Sequence, residues 1–108
     1  MLTKVKVEER TIRMQTGAGV ERSVTFPTPI AQAVGFAEVV AVRLEPDPYV
    51  LQDRNVFGVP AAVSEVWRVD AGLAGTVCTM LSAAEGRLVA SLDDGRDVLV
   101  DPATGKLL

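Results

Sequence analysis

Apolar and polar residues alternate with a period of two through much of the chain. Thr11 to Thr16 and Val20 to Phe26 follow this pattern and are joined by Gly17-Ala18-Gly19. They predict a hairpin whose glycines supply the positive φ angles of the turn. Ile12 and Met14 would then face inward together with Val24 and Phe26. Pro27 and Pro29 end the second strand, because proline lacks a ladder donor and restricts the residue before it. Residues 30–36 could form at most a short helical turn, weakened by Gly35 and by β-branched side chains, and they read as a connector. Glu38 to Glu45 differs in kind: Val39, Val40, Val42 and Leu44 place apolar groups on both faces, as expected of a strand covered on both sides. Glu45-Pro46-Asp47-Pro48-Tyr49 stops that strand and opens an irregular polar stretch to about Arg54.

Further strands are predicted beyond it. Asn55 to Val59 and Glu65 to Val69 flank Pro60-Ala61-Ala62-Val63-Ser64. After the loop Gly72-Leu73-Ala74-Gly75 come Thr76 to Leu81, Arg87 to Leu92 and Arg96 to Val100, with turns at Ala84-Glu85-Gly86 and Asp93-Asp94-Gly95. Strands recurring every ~8–12 residues, without a sustained 3.6-residue period, predict an all-β antiparallel meander of about eight or nine short strands.

Gly86 to Leu108 runs strand, Asp94-Gly95 turn, strand, then Asp101-Pro102-Ala103-Thr104-Gly105-Lys106 into a final short segment. This order resembles a blade segment of the quinoprotein-type β-propellers. Asn55-Val56-Phe57-Gly58-Val59 followed by Glu65-Val66-Trp67-Arg68-Val69 is similar to the Val-Tyr-Ala-Leu strand and the tryptophan-bearing strand of the same repeat. The two matches cover about half the chain, and residues 1–54 contain no copy of the repeat. Propeller closure takes at least four blades of roughly 40 residues each. There is room here for two, so the quinone cofactor is not implied and no cofactor is expected. The expected architecture is a single all-β domain over 1–108, with an N-terminal hairpin and central strand (1–45), a loop (46–54) and a blade-like meander (55–108). Its propeller-blade-like hairpins would pack as a small sandwich or open barrel.

Composition narrows the function classes. The chain of 108 residues is 48% hydrophobic and 23% charged, which suits one globular core. Its net charge of −3 leaves no cationic excess for a nucleic-acid backbone or an anionic membrane, so neither is an expected partner. The N-terminal residues lack the apolar core of a secretory signal, and the most apolar stretch, Ala33 to Leu44, is broken by Glu38 and Arg43. A soluble, cytoplasmic protein is expected. Cys78 has no second cysteine to pair with, and its run Val77-Cys78-Thr79-Met80-Leu81 predicts a buried small hydrophobe.

The chain has no histidine, which removes imidazole bases, Ser-His-Asp and Cys-His systems, and with a single cysteine also removes thiolate and imidazole zinc sites. Carboxylates remain. Asp93, Asp94, Asp97 and Asp101 are the densest group and the candidate hard-cation ligands, chiefly Asp93, Asp97 and Asp101, although Asp94-Gly95 already reads as a turn. Gly17-Ala18-Gly19 precedes no helix and lacks the Gly-Lys-Ser/Thr of a phosphate loop. Trp67 shares a strand face with Val69 and reads as a core anchor. The better functional candidate is the loop carrying Tyr49, Leu51 and Arg54, side-chain types that anchor interfaces; Tyr49 and Leu51 could equally fold back to cap the sheet. The expectation is a non-enzymatic interaction module of the bacterial accessory or immunity type, bound to another protein or to itself through a sheet edge or this loop. Two alternatives stand beside it: an acid-based binder or enzyme, and a self-assembling structural β unit.

Overall fold

A computed structural model describes residues 2–62, 65–70 and 75–108. The period-two segments become strands joined in chain order, and ten are formed among the described residues. β1 (Leu2–Glu8), β2 (Thr11–Thr16) and β3 (Glu21–Thr25) make one sheet. β4 (Ile30–Gly35), β5 (Val39–Leu44), β6 (Val56–Pro60) and β7 (Trp67–Arg68) make a second. β8 (Cys78–Ala84), β9 (Arg87–Leu92) and β10 (Asp97–Val100) make a third. All neighbouring strands are antiparallel. No described helix is long and apolar enough to cross a membrane.

The sheets stack as a sandwich of three layers, with β4–β7 in the middle, and none closes into a barrel. This layering explains the two-faced strand β5. Val40, Val42 and Leu44 pack with Ile12, Met14, Phe26 and Val59 under the first sheet. Ala41 on the opposite face packs with Val56, Leu81, Leu88, Ala90 and Val100 under the third. Strand β6 divides the same way, Val56 facing the third sheet and Phe57 the first, as alternation along a strand requires. The hairpin of β2 and β3 buries Ile12 and Met14, with Phe26 buried just beyond it and Val24 half-buried beside them.

Two strands lie where the sequence predicted none. Residues 30–36, expected as a connector, contain β4; its half-buried positions are Ile30, Gln32 and Val34, and the polar Gln32 in the middle of that row masks the alternation. Leu2–Glu8, read above only for a leader, forms β1. Conversely, the strand expected over 65–69 narrows to Trp67–Arg68. Val63, Ser64 and residues 72–74 of the two expected loops lie outside the described residues.

Side-chain amides join the middle and third sheets. Gln32 Nε2 donates to the Leu81 carbonyl at 2.6 Å, and its Oε1 accepts the Leu81 N–H at 2.8 Å, so one side chain bridges the edges of β4 and β8 as a neighbouring strand would. Asn55 does the same between the end of β5 and the start of β8, with Nδ2 donating to the carbonyls of Leu44 (2.8 Å) and Cys78 (3.1 Å) and Oδ1 accepting from Cys78 N (2.8 Å). Trp67 lies between Gly58 and Gly105: a Cβ on Gly58 would overlap the indole, and one on Gly105 would sit 2.5 Å from Cε3. Its Nε1 donates to the Pro102 carbonyl at 3.1 Å, which fastens the 101–106 turn over the ring.

Candidate functional site

The segment 46–55 carries the chain from β5 to β6 and holds the three candidate partner-binding residues. Its first half is a turn built by one carboxylate. Asp47 Oδ1 accepts from the backbone N–H of Tyr49 at 2.8 Å and of Val50 at 3.2 Å. The Asp47 carbonyl accepts from Leu51 N at 2.9 Å, and Asp47 N donates to the Leu51 carbonyl at 2.8 Å. An aspartate before a proline favours such a turn, because its side chain satisfies donors that the proline-interrupted backbone leaves open. The turn displays Tyr49, 94% exposed, with Val50 exposed beside it, and sends Leu51, 6% exposed, into the core beneath the first sheet.

The sequence left open whether this loop binds or caps. The two side chains part company: Leu51 caps, and Tyr49 projects.

Arg54 belongs to a different arrangement. Its φ of 51° lies in the left-handed region, which costs a side-chain-bearing residue about 1–2 kcal/mol. Contacts on both sides hold it there. Arg54 N donates to the Thr76 carbonyl at 3.2 Å, and the Arg54 carbonyl accepts from Arg68 Nε at 3.0 Å. Arg54 Nε lies 3.0 Å from Asp53 Oδ1. Asp53 Oδ2 accepts from Gly75 N at 2.7 Å, while Arg68 Nη2 donates to the Asp53 carbonyl at 3.1 Å. The Gly75 N–H first, then the Arg54 guanidinium, hold the Asp53 carboxyl below the usual aspartate range. Arg68 also stacks over Phe57, 5.5 Å from the ring centroid. Arg54 is thus a brace for the loop, and Tyr49 and Arg54 form no common patch through any of these contacts.

Three of the four aspartates of the third sheet accept backbone N–H groups. Asp93 Oδ1 accepts from Val77 N at 3.3 Å, Asp94 Oδ1 from Arg96 N at 3.0 Å, and Asp101 Oδ1 from Ala103 N at 2.9 Å. Asp97 begins β10 opposite Ser91. Among the described residues, no three metal-ligating side chains gather. Cys78 is buried, its Sγ donating to the Met80 carbonyl at 3.2 Å, and burial pushes its thiol up.

A groove of about 520 Å³ runs between Phe36, Val39 and Pro60 on one side and Gly86, Pro102 and Ala103 on the other. The one titratable residue among its described walls is Glu38. A ligand site combines an apolar cleft with several convergent polar groups, and these walls supply too few.

A family model for a domain of unknown function, DUF7957, matches residues 2–108. The chain belongs to that family. No curated protein and no solved structure matches it. In this DUF7957 chain sequence reasoning missed the contacts that Asp47 and Arg68 make with the loop. Asp47-Pro48 carried a readable signal for a turn. The reach of Arg68 back to Asp53 depends on the β6–β7 pairing and has no local signature.

Proposed function

We propose that this domain is a non-enzymatic protein-binding module whose contact element is the Asp47–Leu51 turn. The observation that carries the reading is the almost complete exposure of Tyr49 on a turn closed by five hydrogen bonds and pinned by the buried Leu51. Tyrosine contributes a large contact area with few rotatable bonds, and a turn already ordered before binding avoids the entropy of ordering it later. Val50 extends the apolar surface. Two of the three carboxylates that an acid-based enzyme would use, Asp93 and Asp101, are already acceptors for backbone N–H groups, which favours binding over catalysis.

The test places the photoreactive p-benzoylphenylalanine at position 49 or, as a control, at the exposed hairpin tip Glu85. Crosslinking is carried out in cells of the native host. A discrete heterologous adduct from position 49 that is absent from position 85, and that is lost on Val50→Asp without a change in melting temperature, supports the turn as the contact. Adducts indistinguishable between the two positions, none at position 49, or an adduct that survives Val50→Asp overturn it.

A further inference from the structure

The sheet edges are not equally protected. The edges of β4 and β8 are bridged by Gln32. β10 is followed by the C-terminal residues, with Leu107 bridging Val100 and Leu108 N donating to the Leu99 carbonyl at 3.0 Å. β1 has β2 as its sole strand partner among the described residues; the Leu2 N–H donates to the Ala37 carbonyl at 3.0 Å, and the edge left without a strand partner runs over residues 4–8. Across the ladder Val7 pairs with Ile12 and Val5 with Met14, so both valines point to the core face. Each is nevertheless 41% exposed. The buried row beneath the first sheet therefore continues past β2 to apolar side chains that are only half covered.

We propose that β1 pairs antiparallel with β1 of a second copy, about a two-fold axis at Lys6, to give one continuous sheet through two chains. The argument is self-complementarity. In an antiparallel pair, opposed residues share a face. A two-fold at Lys6 sets Val5 against the partner's Val7 on the core face, and Lys4 against the partner's Glu8 on the outer face, each twice. Centred on Val5 instead, the pairing opposes Lys4 to Lys6 and Leu2 to Glu8. Moving the axis half a residue from Lys6 to either side opposes valine to lysine or glutamate. Of the registers that pair five or more residues of β1, the one at Lys6 alone joins apolar to apolar and Lys to Glu. It uses residues 4–8, which lie beyond the register shift between Leu2 and Lys4.

The like-charged Lys6 pair on the axis is offset by Glu8, whose carboxylate lies 3.2 Å from Lys6 Nζ within each chain. Edge lysines commonly block strand addition; here they occupy the face opposite the valines, and the core face of β1 carries no charge over residues 5–7. The other edge of the same sheet fails the same comparison. Pairing β3 with itself about Ser23 would oppose Arg22 to Val24, and Arg22 is already committed to the carbonyls of Pro60 (2.8 Å) and Ala62 (2.6 Å).

An edge contact of this size corresponds to a weak dimer, with Kd on the order of 10–100 µM. Sedimentation equilibrium of the purified chain is expected to show a reversible monomer–dimer equilibrium in that range. Lys4→Glu converts both Lys–Glu contacts to like charges and weakens the dimer about tenfold. Glu8→Lys does the same, and the double variant restores the wild-type constant. Lys6→Cys, at the axis, forms a disulfide-linked dimer under mild oxidation, whereas Arg96→Cys forms none. A chain that stays monomeric at millimolar concentration, a double variant no tighter than either single, or equal crosslinking at positions 6 and 96 overturns the proposal. All four positions are at the surface, so loss of folding does not imitate the expected pattern.

Discussion

Asn55 offers the sharpest test of how the sandwich is held together. The residue is 0% exposed, and its amide satisfies the Leu44 carbonyl, the Cys78 carbonyl and the Cys78 N–H. Asn55→Ala strips those three groups of this partner. A buried polar group left unsatisfied costs about 1–3 kcal/mol. The N–H suffers most, since it has a single bond to give while a carbonyl has two lone pairs. Weighting the three groups accordingly gives a loss of about 3–5 kcal/mol, a large part of the ~5–15 kcal/mol that holds a domain of this size folded.

Urea unfolding followed by Trp67 fluorescence measures it. With a slope of about 1–3 kcal/mol per molar, the midpoint falls by roughly 2 M. The discriminating partner is Asn55→Leu, which nearly refills the volume but restores no hydrogen bond. If the cost lay in a cavity, leucine would recover most of it. The amide bridge requires leucine to be nearly as damaging as alanine, and an Asn55→Leu protein within about 1 kcal/mol of wild type refutes the reasoning.

Three further outcomes are expected. Gly58→Ala drives a methyl group into the Trp67 indole and loses about 2–3 kcal/mol in the same assay, whereas Gly35→Ala, with open space around its Cα, stays within about 0.5 kcal/mol. Because the native Asp53 carboxyl sits below its usual range, its contribution is complete above the unfolded value near 4 and is lost as pH falls through the lower native value; Asp53→Asn therefore flattens part of the acid limb of stability below about pH 4 and leaves the neutral-to-alkaline profile unchanged. Cys78, buried with its thiol pushed up, reacts with a thiol reagent such as DTNB at a rate limited by unfolding, so the rate rises with urea and fast labelling of the native protein would contradict the burial.

How much of this was legible depended on whether a feature was local. The β2–β3 hairpin, the two-faced β5 and the Asp94-Gly95 turn are encoded within a few residues each, by alternation and by left-handed turn positions. At Ala84-Glu85-Gly86 the last two residues both take positive φ, 54° and 75°, as a tight hairpin of the primed type requires. Strand β4 was hidden for a non-local reason: Gln32 looks like a polar interruption until its amide is seen on the backbone of Leu81. Trp67 read correctly as an anchor, but its glycine neighbours Gly58 and Gly105 are 47 residues apart, and only the folded chain brings them to the two sides of one ring. In the candidate site, Tyr49 and Leu51 were each legible as a cap or a contact, and only the folded turn sets Tyr49 outward and Leu51 inward. The part Arg54 plays as a brace was not legible, because an arginine in a loop gives no sign that it is already bound to its neighbour Asp53.

The two interfaces of the sandwich differ in a way that bears on the turn that carries Tyr49. The first sheet meets the middle one through apolar side chains, such as the tilted Phe26–Phe57 pair with centroids 5.5 Å apart, and such contacts tolerate sliding because dispersion and hydrophobic burial are weakly directional. The third sheet is clamped by the amides of Gln32 and Asn55, whose hydrogen bonds admit one register. Residues 46–55 touch both. Leu51 is seated in the first core, while Asp53, Arg54 and Asn55 reach Gly75, Thr76 and Cys78 on the approach to the third sheet. The turn bearing Tyr49 is therefore stretched between two layers and fixed at both ends. Loosening the amide clamp with Asn55→Ala should mobilise Tyr49 as well as lower stability, so that hydrogen exchange at Tyr49 N and Val50 N quickens under conditions where the variant remains folded. Unchanged exchange at these two amides would mean that Asp47 alone orders the turn.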